Sequence, residues 1–200
     1  IAGNDFATLP NYPAEIRAPA GTVAGVSSFQ LHFADYDIHT PGDHPDVLVA
    51  MNPAALKANL ADLPAGGILI VDTADFTPRS LAKAGYQDNP LDSGHLEQYQ
   101  VYALDLTAAA SAAVQSFGLT RKDASRTKNM YALGLLDWMY SRSIDQTVGF
   151  LNAKFAKRPQ IRDANIAALK AGYNFGETSE AIAVRYEIAP APAKTGTYRQ

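Results

Sequence analysis

Three polar residues close three short apolar runs in this chain: Asn52 follows residues 47–51, Asp72 follows 68–71 and Asp105 follows 101–104. In an open parallel α/β sheet, ligands bind outside the carboxyl ends of the strands, so side chains at these places are candidates for contact with a substrate or cofactor. Each also has an ordinary structural role, the asparagine as a helix cap worth about 1 kcal/mol and the aspartates as turn or cap residues. A second candidate is the run Arg121-Lys122-Asp123-Ala124-Ser125-Arg126-Thr127-Lys128, four cations around one acid just ahead of a helical pattern. Cations beside a helix N-terminus favour a phosphate or a carboxylate. A solvated loop would look the same. The third candidate is residues 9–22, which hold Pro10, Pro13 and Pro19, Gly21 and the opposed charges Glu15 and Arg17. Each proline fixes its own φ and pushes the residue before it toward an extended conformation. Tyr12, Glu15 and Arg17 are thereby presented from a stiff loop, either built for contact or simply crossing the surface.

Other familiar sites fail. Gly25-Val26-Ser27-Ser28-Phe29 lacks the second glycine of a nucleophile elbow and lies in strand-like sequence. His39 and His44 stand five apart in a Pro/Gly loop, and His32 and His95 stand alone. No helical His-x-x-x-His places two imidazoles on one face, so no metal site is expected. Neither a Gly-x-Gly-x-x-Gly turn nor a phosphate loop occurs within these residues, which argues against independent nucleotide binding. No catalytic acid or base is assigned.

The elements that must position the candidates alternate between strand and helix. Residues 47–51 and 68–71 are continuous apolar runs, the mark of strands covered on both faces. Between them, Asn52 as N-cap, Pro53 at the first helical position, Leu56, Leu60 and Leu63 at helical spacing and the terminal Gly66-Gly67 predict a helix. The resulting βαβ unit makes its two strands parallel. Residues 101–104 and the Ala-rich 107–117 repeat the strand-then-helix theme. A further strand over 26–33 alternates Phe29, Leu31 and Phe33 with polar neighbours, which predicts one solvated face or an edge position. The second half reads as helical. Residues 128–140 are apolar nearly all round and predict a buried helix. Residues 145–155 and 163–173 predict two more, the latter with Ile166, Leu169 and Tyr173 on one face and Gly172 near its end. The fold class that follows is α/β: an open, mostly parallel Rossmann-like sheet with flanking helices and a helical carboxyl-terminal half. One α/β domain is expected over 1–188. From Ala189 the sequence Ala-Pro-Ala-Pro-Ala-Lys-Thr-Gly is linker-like, which places a domain boundary there, with 189–200 leading into the next domain.

Composition narrows the function classes. The chain has 200 residues, of which 47% are hydrophobic and 18% charged, which suits one globular domain with a real core. A net charge of −3 leaves no electrostatic footprint for a nucleic-acid backbone or an anionic membrane. Without cysteine there is no disulfide, thiolate metal site, cysteine nucleophile or self-held iron–sulfur cluster. No run of eighteen apolar residues and no secretory signal occur, so a cytoplasmic protein is expected. The first residue is Ile1 rather than Met.

The string Pro10-Asn11-Tyr12-Pro13-Ala14-Glu15-Ile16-Arg17-Ala18-Pro19-Ala20-Gly21-Thr22, with Gly25-Val26-Ser27-Ser28-Phe29-Gln30 after it, resembles the alpha subunit of 2-oxoacid:ferredoxin oxidoreductases, especially the 2-oxoglutarate type. Residues 46–56, 66–72, 128–136, 154–156 and 171–178 resemble that subunit's amino-terminal gamma-type domain in the expected order. Gly196-Thr197-Tyr198-Arg199-Gln200 resembles the beginning of the domain that binds the pyrimidine half of thiamine diphosphate. The family's glycine-rich strand-to-helix turn ahead of the first match is absent, and the chain stops before the thiamine-binding residues. It therefore resembles a segment of a longer subunit, expected to be inactive by itself. The resemblance implies a complete enzyme that oxidatively decarboxylates a 2-oxoacid on thiamine diphosphate with Mg²⁺. Electrons would pass through a [4Fe-4S] cluster in the beta subunit to ferredoxin, and the acyl group would pass to coenzyme A. It further implies that Tyr12, Glu15 and Arg17, with Asn52, face the cofactor or coenzyme A, and that Arg126, Lys128 and Asn129 meet its phosphates. A non-catalytic assembly module or a coenzyme A-binding module is the rival reading.

Overall fold

A computed structural model describes residues 4–11 and 26–190. Of these, residues 4–11, 26–70, 75–101 and 188–190 form one compact unit, and residues 71–74 with 102–187 form a second.

The first unit opens with an antiparallel ribbon of β1 (Asp5–Asn11) and β2 (Ser28–Ala34), in register from Asp5 opposite Ala34 to Asn11 opposite Ser28. Leu9, Pro10 and Asn11 thus belong to a strand, which corrects the expectation that the proline-rich loop starts at residue 9. Pro10 is tolerated because a two-stranded ribbon has open edges, where a missing N–H breaks no ladder. The remainder of that loop, with Tyr12, Glu15 and Arg17, lies outside the described residues.

A three-stranded parallel sheet has the order β3 (Val47–Ala50), β4 (Ile68–Asp72), β5 (Gln100–Leu104). All five residues of β4 are buried, as its unbroken apolar run predicts. Helix α1 (Pro53–Asn59) joins β3 to β4, and a turn of 3-10 helix at Leu60–Asp62 continues it. The Asn52 side chain caps α1, its Oδ1 accepting from the Ala55 amide at 2.8 Å, while Leu56 is fully buried. Asn52→Ala is expected to cost about 1 kcal/mol, since one orphan amide loses its acceptor, and to lower the urea midpoint accordingly. Helix α2 (Pro78–Lys83) goes beyond the elements read from sequence, although Thr77 as cap and Pro78 at the first helical position are the standard start signal.

The second unit is helical, with α3 (Leu106–Ala113), α4 (Arg121–Arg126), α5 (Lys128–Met139), α6 (Asp145–Lys154) and α7 (Pro159–Thr178). Residues 121–126, read as a charged loop, are helical because the Thr120 hydroxyl caps them, accepting from the Asp123 amide at 3.1 Å. Helix α5 is buried as expected, through Tyr131, Ala132, Gly134, Leu135, Trp138 and Met139. Helix α7 is nearly twice the expected length. Its buried residues are Ala164, Ala168, Leu169, Gly172 and Gly176, mostly small side chains four apart; of the expected face, Leu169 is buried while Ile166 and Tyr173 are only partly so. Gly172 lies inside the helix and not at its end. A Cβ there would overlap the Tyr131 carbonyl oxygen and stand 3.1 Å from the Tyr131 Cα, and a Cβ at Gly134 would overlap the Leu169 carbonyl oxygen. The two glycines therefore let the backbones of α5 and α7 touch. Residues after α7 return to the end of α5, where the Tyr186 amide donates to the Met139 carbonyl at 2.6 Å and Arg185 Nε donates to Ser141 Oγ at 3.0 Å.

Candidate functional site

Within the second unit, the end of β4, the start of α3 and the start of α5 meet at Asp72. This carboxylate is fully buried. Its Oδ2 accepts from the Thr107 hydroxyl at 2.7 Å and from Lys128 Nζ at 3.0 Å. Its Oδ1 accepts from the amides of Thr107 at 3.3 Å and Ala74 at 3.4 Å. Four donors match the acceptor capacity of one carboxylate, so Asp72 is an anchor and has no free lone pair for proton transfer. It also sits at the positive end of α3, where Asp105 caps the helix by accepting from the Ala108 amide at 2.8 Å. The helix N-terminus that would attract an external anion is thus already occupied by two of the chain's own carboxylates.

The cationic run distributes differently from its sequence order. Lys128 is committed to Asp72, but its side chain keeps 24% exposure. Arg126 is exposed and pairs with Asp123 one helical turn away, Nη1 to Oδ1 at 3.3 Å. Such surface pairs contribute little and are readily exchanged. Asn129 is exposed at the start of α5. Arg121 lines a groove of about 470 Å³ between α3 and α4, together with Asp105, Thr107, Ser111 and Ser125. Among the described residues Arg121 has no carboxylate partner. Asn52 is occupied as a helix cap in the first unit, whereas Lys128 and Thr107 converge on Asp72 in the second.

Two notable side chains escape the sequence reading. Thr107 closes the Asp72 cluster, and the only trace in sequence is a hydroxyl two residues after a strand-ending aspartate. The other is Asp137 on α5, whose Oδ2 is buried without a hydrogen-bond partner among the described residues. Burial pushes its carboxyl up to about 6, against the opposing pull of the Arg142 guanidinium. The fold therefore holds this proton to a higher pH than the unfolded chain does. Its favourable contribution is present at about pH 4 and is lost as pH rises to about 6. Asp137→Asn, which is uncharged at every pH, is expected to raise the urea midpoint at pH 7.5, with the gain shrinking as pH falls and vanishing only below about pH 4.

Among the described residues, no group of three or more His, Cys, Asp or Glu side chains could hold a metal ion. The chain has no cysteine for an iron–sulfur cluster. The described residues thus offer no all-protein cage for a metal ion, and the chain has no thiolates for a [4Fe-4S] cluster. No helix of the described residues is long and apolar enough to cross a membrane.

Residues 1–175 match the family described as pyruvate ferredoxin/flavodoxin oxidoreductase. Over all 200 residues the chain is 59% identical to the 2-oxoglutarate oxidoreductase subunit KorA of Mycobacterium tuberculosis (strain ATCC 25618 / H37Rv), and it spans 31% of that protein's length. The fold is similar to that of a 2-oxoglutarate:ferredoxin oxidoreductase from Magnetococcus marinus, a structure with 2-oxoglutarate, coenzyme A and succinyl-CoA bound. The TM-score is 0.68 at 23% identity, over 95% of this chain and 28% of that one. The match over most of its length, together with the sheet and helices described above, establishes that the chain belongs to the pyruvate ferredoxin/flavodoxin oxidoreductase family.

Proposed function

We propose that this chain is a segment of the alpha subunit of a 2-oxoglutarate:ferredoxin oxidoreductase. The complete enzyme converts 2-oxoglutarate and coenzyme A to succinyl-CoA and CO₂, passing the two electrons released to ferredoxin. The observation that carries this reading is the 59% identity across all 200 residues to a 2-oxoglutarate oxidoreductase subunit. Thiamine diphosphate, Mg²⁺ and the iron–sulfur cluster belong to the remainder of the alpha subunit and to a beta subunit, and the assembly is a cytoplasmic hetero-oligomer. When bound there, thiamine diphosphate supplies the carbanion chemistry of decarboxylation.

The role of this segment is to receive coenzyme A. Tyr12, Glu15 and Arg17 face the cofactor or coenzyme A. The partly exposed Lys128, the loosely paired Arg126 and the exposed Asn129 meet its phosphates. The exposure of Arg126 and Asn129 and the residual exposure of Lys128 support this assignment. Asn52, whose Oδ1 caps α1, faces the cofactor or coenzyme A through its Nδ2.

The test is anaerobic purification of the native polypeptide with whatever accompanies it, followed by viologen reduction with 2-oxoglutarate, pyruvate or branched 2-oxoacids. Coenzyme A-dependent reduction with 2-oxoglutarate is expected. A colourless, inactive preparation without a cluster-bearing partner would overturn the proposal in favour of an assembly or coenzyme A-binding module. In the active enzyme, Arg17→Ala is expected to raise the KM for coenzyme A on the order of tenfold, as the loss of one charge-assisted hydrogen bond predicts. Steady-state kinetics at varied coenzyme A check it.

A further inference from the structure

We propose that the outward face of the β1–β2 ribbon is a docking surface for the polypeptide that lies outside these 200 residues in the longer subunit, an inference that rests on the reading just given. Because side chains alternate along a strand, the register Phe6↔Phe33, Thr8↔Leu31 and Pro10↔Phe29 puts these six residues on one face. None of them is charged. Phe6 is 49% exposed, Phe29 58% and Leu31 42%.

The opposite face mixes Asp5, Asn11, Ser28, Gln30 and His32 with Ala7, Ala34 and the half-exposed Leu9, and its polar side chains are tied to the chain's own backbone. Gln30 Nε2 donates to the carbonyls of Pro41 and Gly42 at 3.0 and 2.8 Å. The Asp5 carboxylate accepts from the Ile38 amide at 2.7 Å, and the His32 ring meets the Thr40 carbonyl at 3.1 Å. The ribbon is thus turned with its more apolar, aromatic side to water, the reverse of the usual arrangement of a half-covered antiparallel sheet. An isolated two-stranded ribbon is marginal in water, so this face lacks the layer that would cover it.

The absence of charge on the face calls for an apolar partner and excludes a nucleic acid or an acidic peptide. Area chooses between the apolar occupants. Two half-exposed aromatic rings and one leucine amount to roughly 300 Å², given the area that each aromatic side chain can bury. A stable dimer needs about 800 Å² from each partner. A second copy of the chain is therefore a poor occupant. A tethered neighbour within one polypeptide docks on a smaller surface, because its effective concentration is already high. Such a neighbour exists in the family: the Mycobacterium tuberculosis subunit is about three times as long as this chain, which spans 31% of it.

The test places a photo-crosslinking p-benzoylphenylalanine at position 29 of the native full-length subunit in its complex. It is irradiated in a mixture of isotopically light and heavy subunits, and the joined peptides are read by mass spectrometry. Expected are pairs of unmixed isotope that link residue 29 to sequence outside residues 1–200 of the same polypeptide. Mixed-isotope pairs, links to a different subunit, links confined to residues 1–200 or no link at all would overturn the docking proposal while leaving the enzyme assignment intact. A native polypeptide whose intact mass is that of 200 residues would overturn both.

Discussion

Gly172→Ala, and equally Gly134→Ala, is expected to destabilise the second unit on the order of 3 kcal/mol, at the upper end of what overpacking costs. In each case the new methyl would overlap a backbone carbonyl oxygen of the facing helix, Tyr131 for one and Leu169 for the other. A flexible side chain could swing aside, but a carbonyl in a helix cannot move without breaking the ladder on both sides. The helices would have to separate, and the buried contacts of Ala164, Ala168 and Leu169 would loosen with them. Gly149, inside α6, is the control, since a Cβ there meets nothing within 4 Å. Gly149→Ala is expected to stabilise by about 0.5–1 kcal/mol through reduced freedom of the unfolded chain. Urea denaturation of the three variants checks both signs. Equal effects at positions 134, 149 and 172 would remove the close-contact account.

The second large effect is expected at the buried ion pair. Lys128→Met should cost about 3–5 kcal/mol, because the fully buried Asp72 carboxylate would keep only Thr107 and the Ala74 amide as donors. Asp72→Asn with Lys128→Met, which removes both charges, should recover much of that loss, and a double-mutant cycle should return a coupling of about 1–3 kcal/mol. The same variants separate the anchor from the proposed phosphate contact. A structural role alone moves the unfolding midpoint and leaves the KM for coenzyme A unchanged in enzyme that remains folded. A phosphate contact raises that KM even at temperatures far below unfolding. Fluorescence-monitored unfolding and steady-state kinetics on the same preparations distinguish the two.

Much of the architecture is legible in the sequence because it is local. Most of the runs 47–51 and 68–71 becomes parallel strands, since unbroken β-branched and leucine-rich runs tolerate burial on both faces. Asn52 and Asp105 become helix caps where Asn and Asp precede a helical pattern, because a short acceptor at that position satisfies an amide only two or three residues away. The strand nature of residues 9–11 was hidden, since proline reads as a loop until a partner strand is known.

The sequence by itself determined the central strands and most of the later helices, the caps Asn52 and Asp105, and, through specific strings spread along the chain, the family. Tertiary structure alone decided that Lys128 would reach Asp72, fifty-six residues earlier, so that one candidate cation is half spent on an internal anchor. It alone decided that Gly172 would serve a helix crossing instead of a helix end, and that the buried line of α7 would run through alanine and glycine. It alone turned the apolar face of β2 to water. Caps and periodicities depend on neighbours within one or two turns and can be read from order. Pairings across tens of residues depend on which surfaces fit, and that information is spread over both partners.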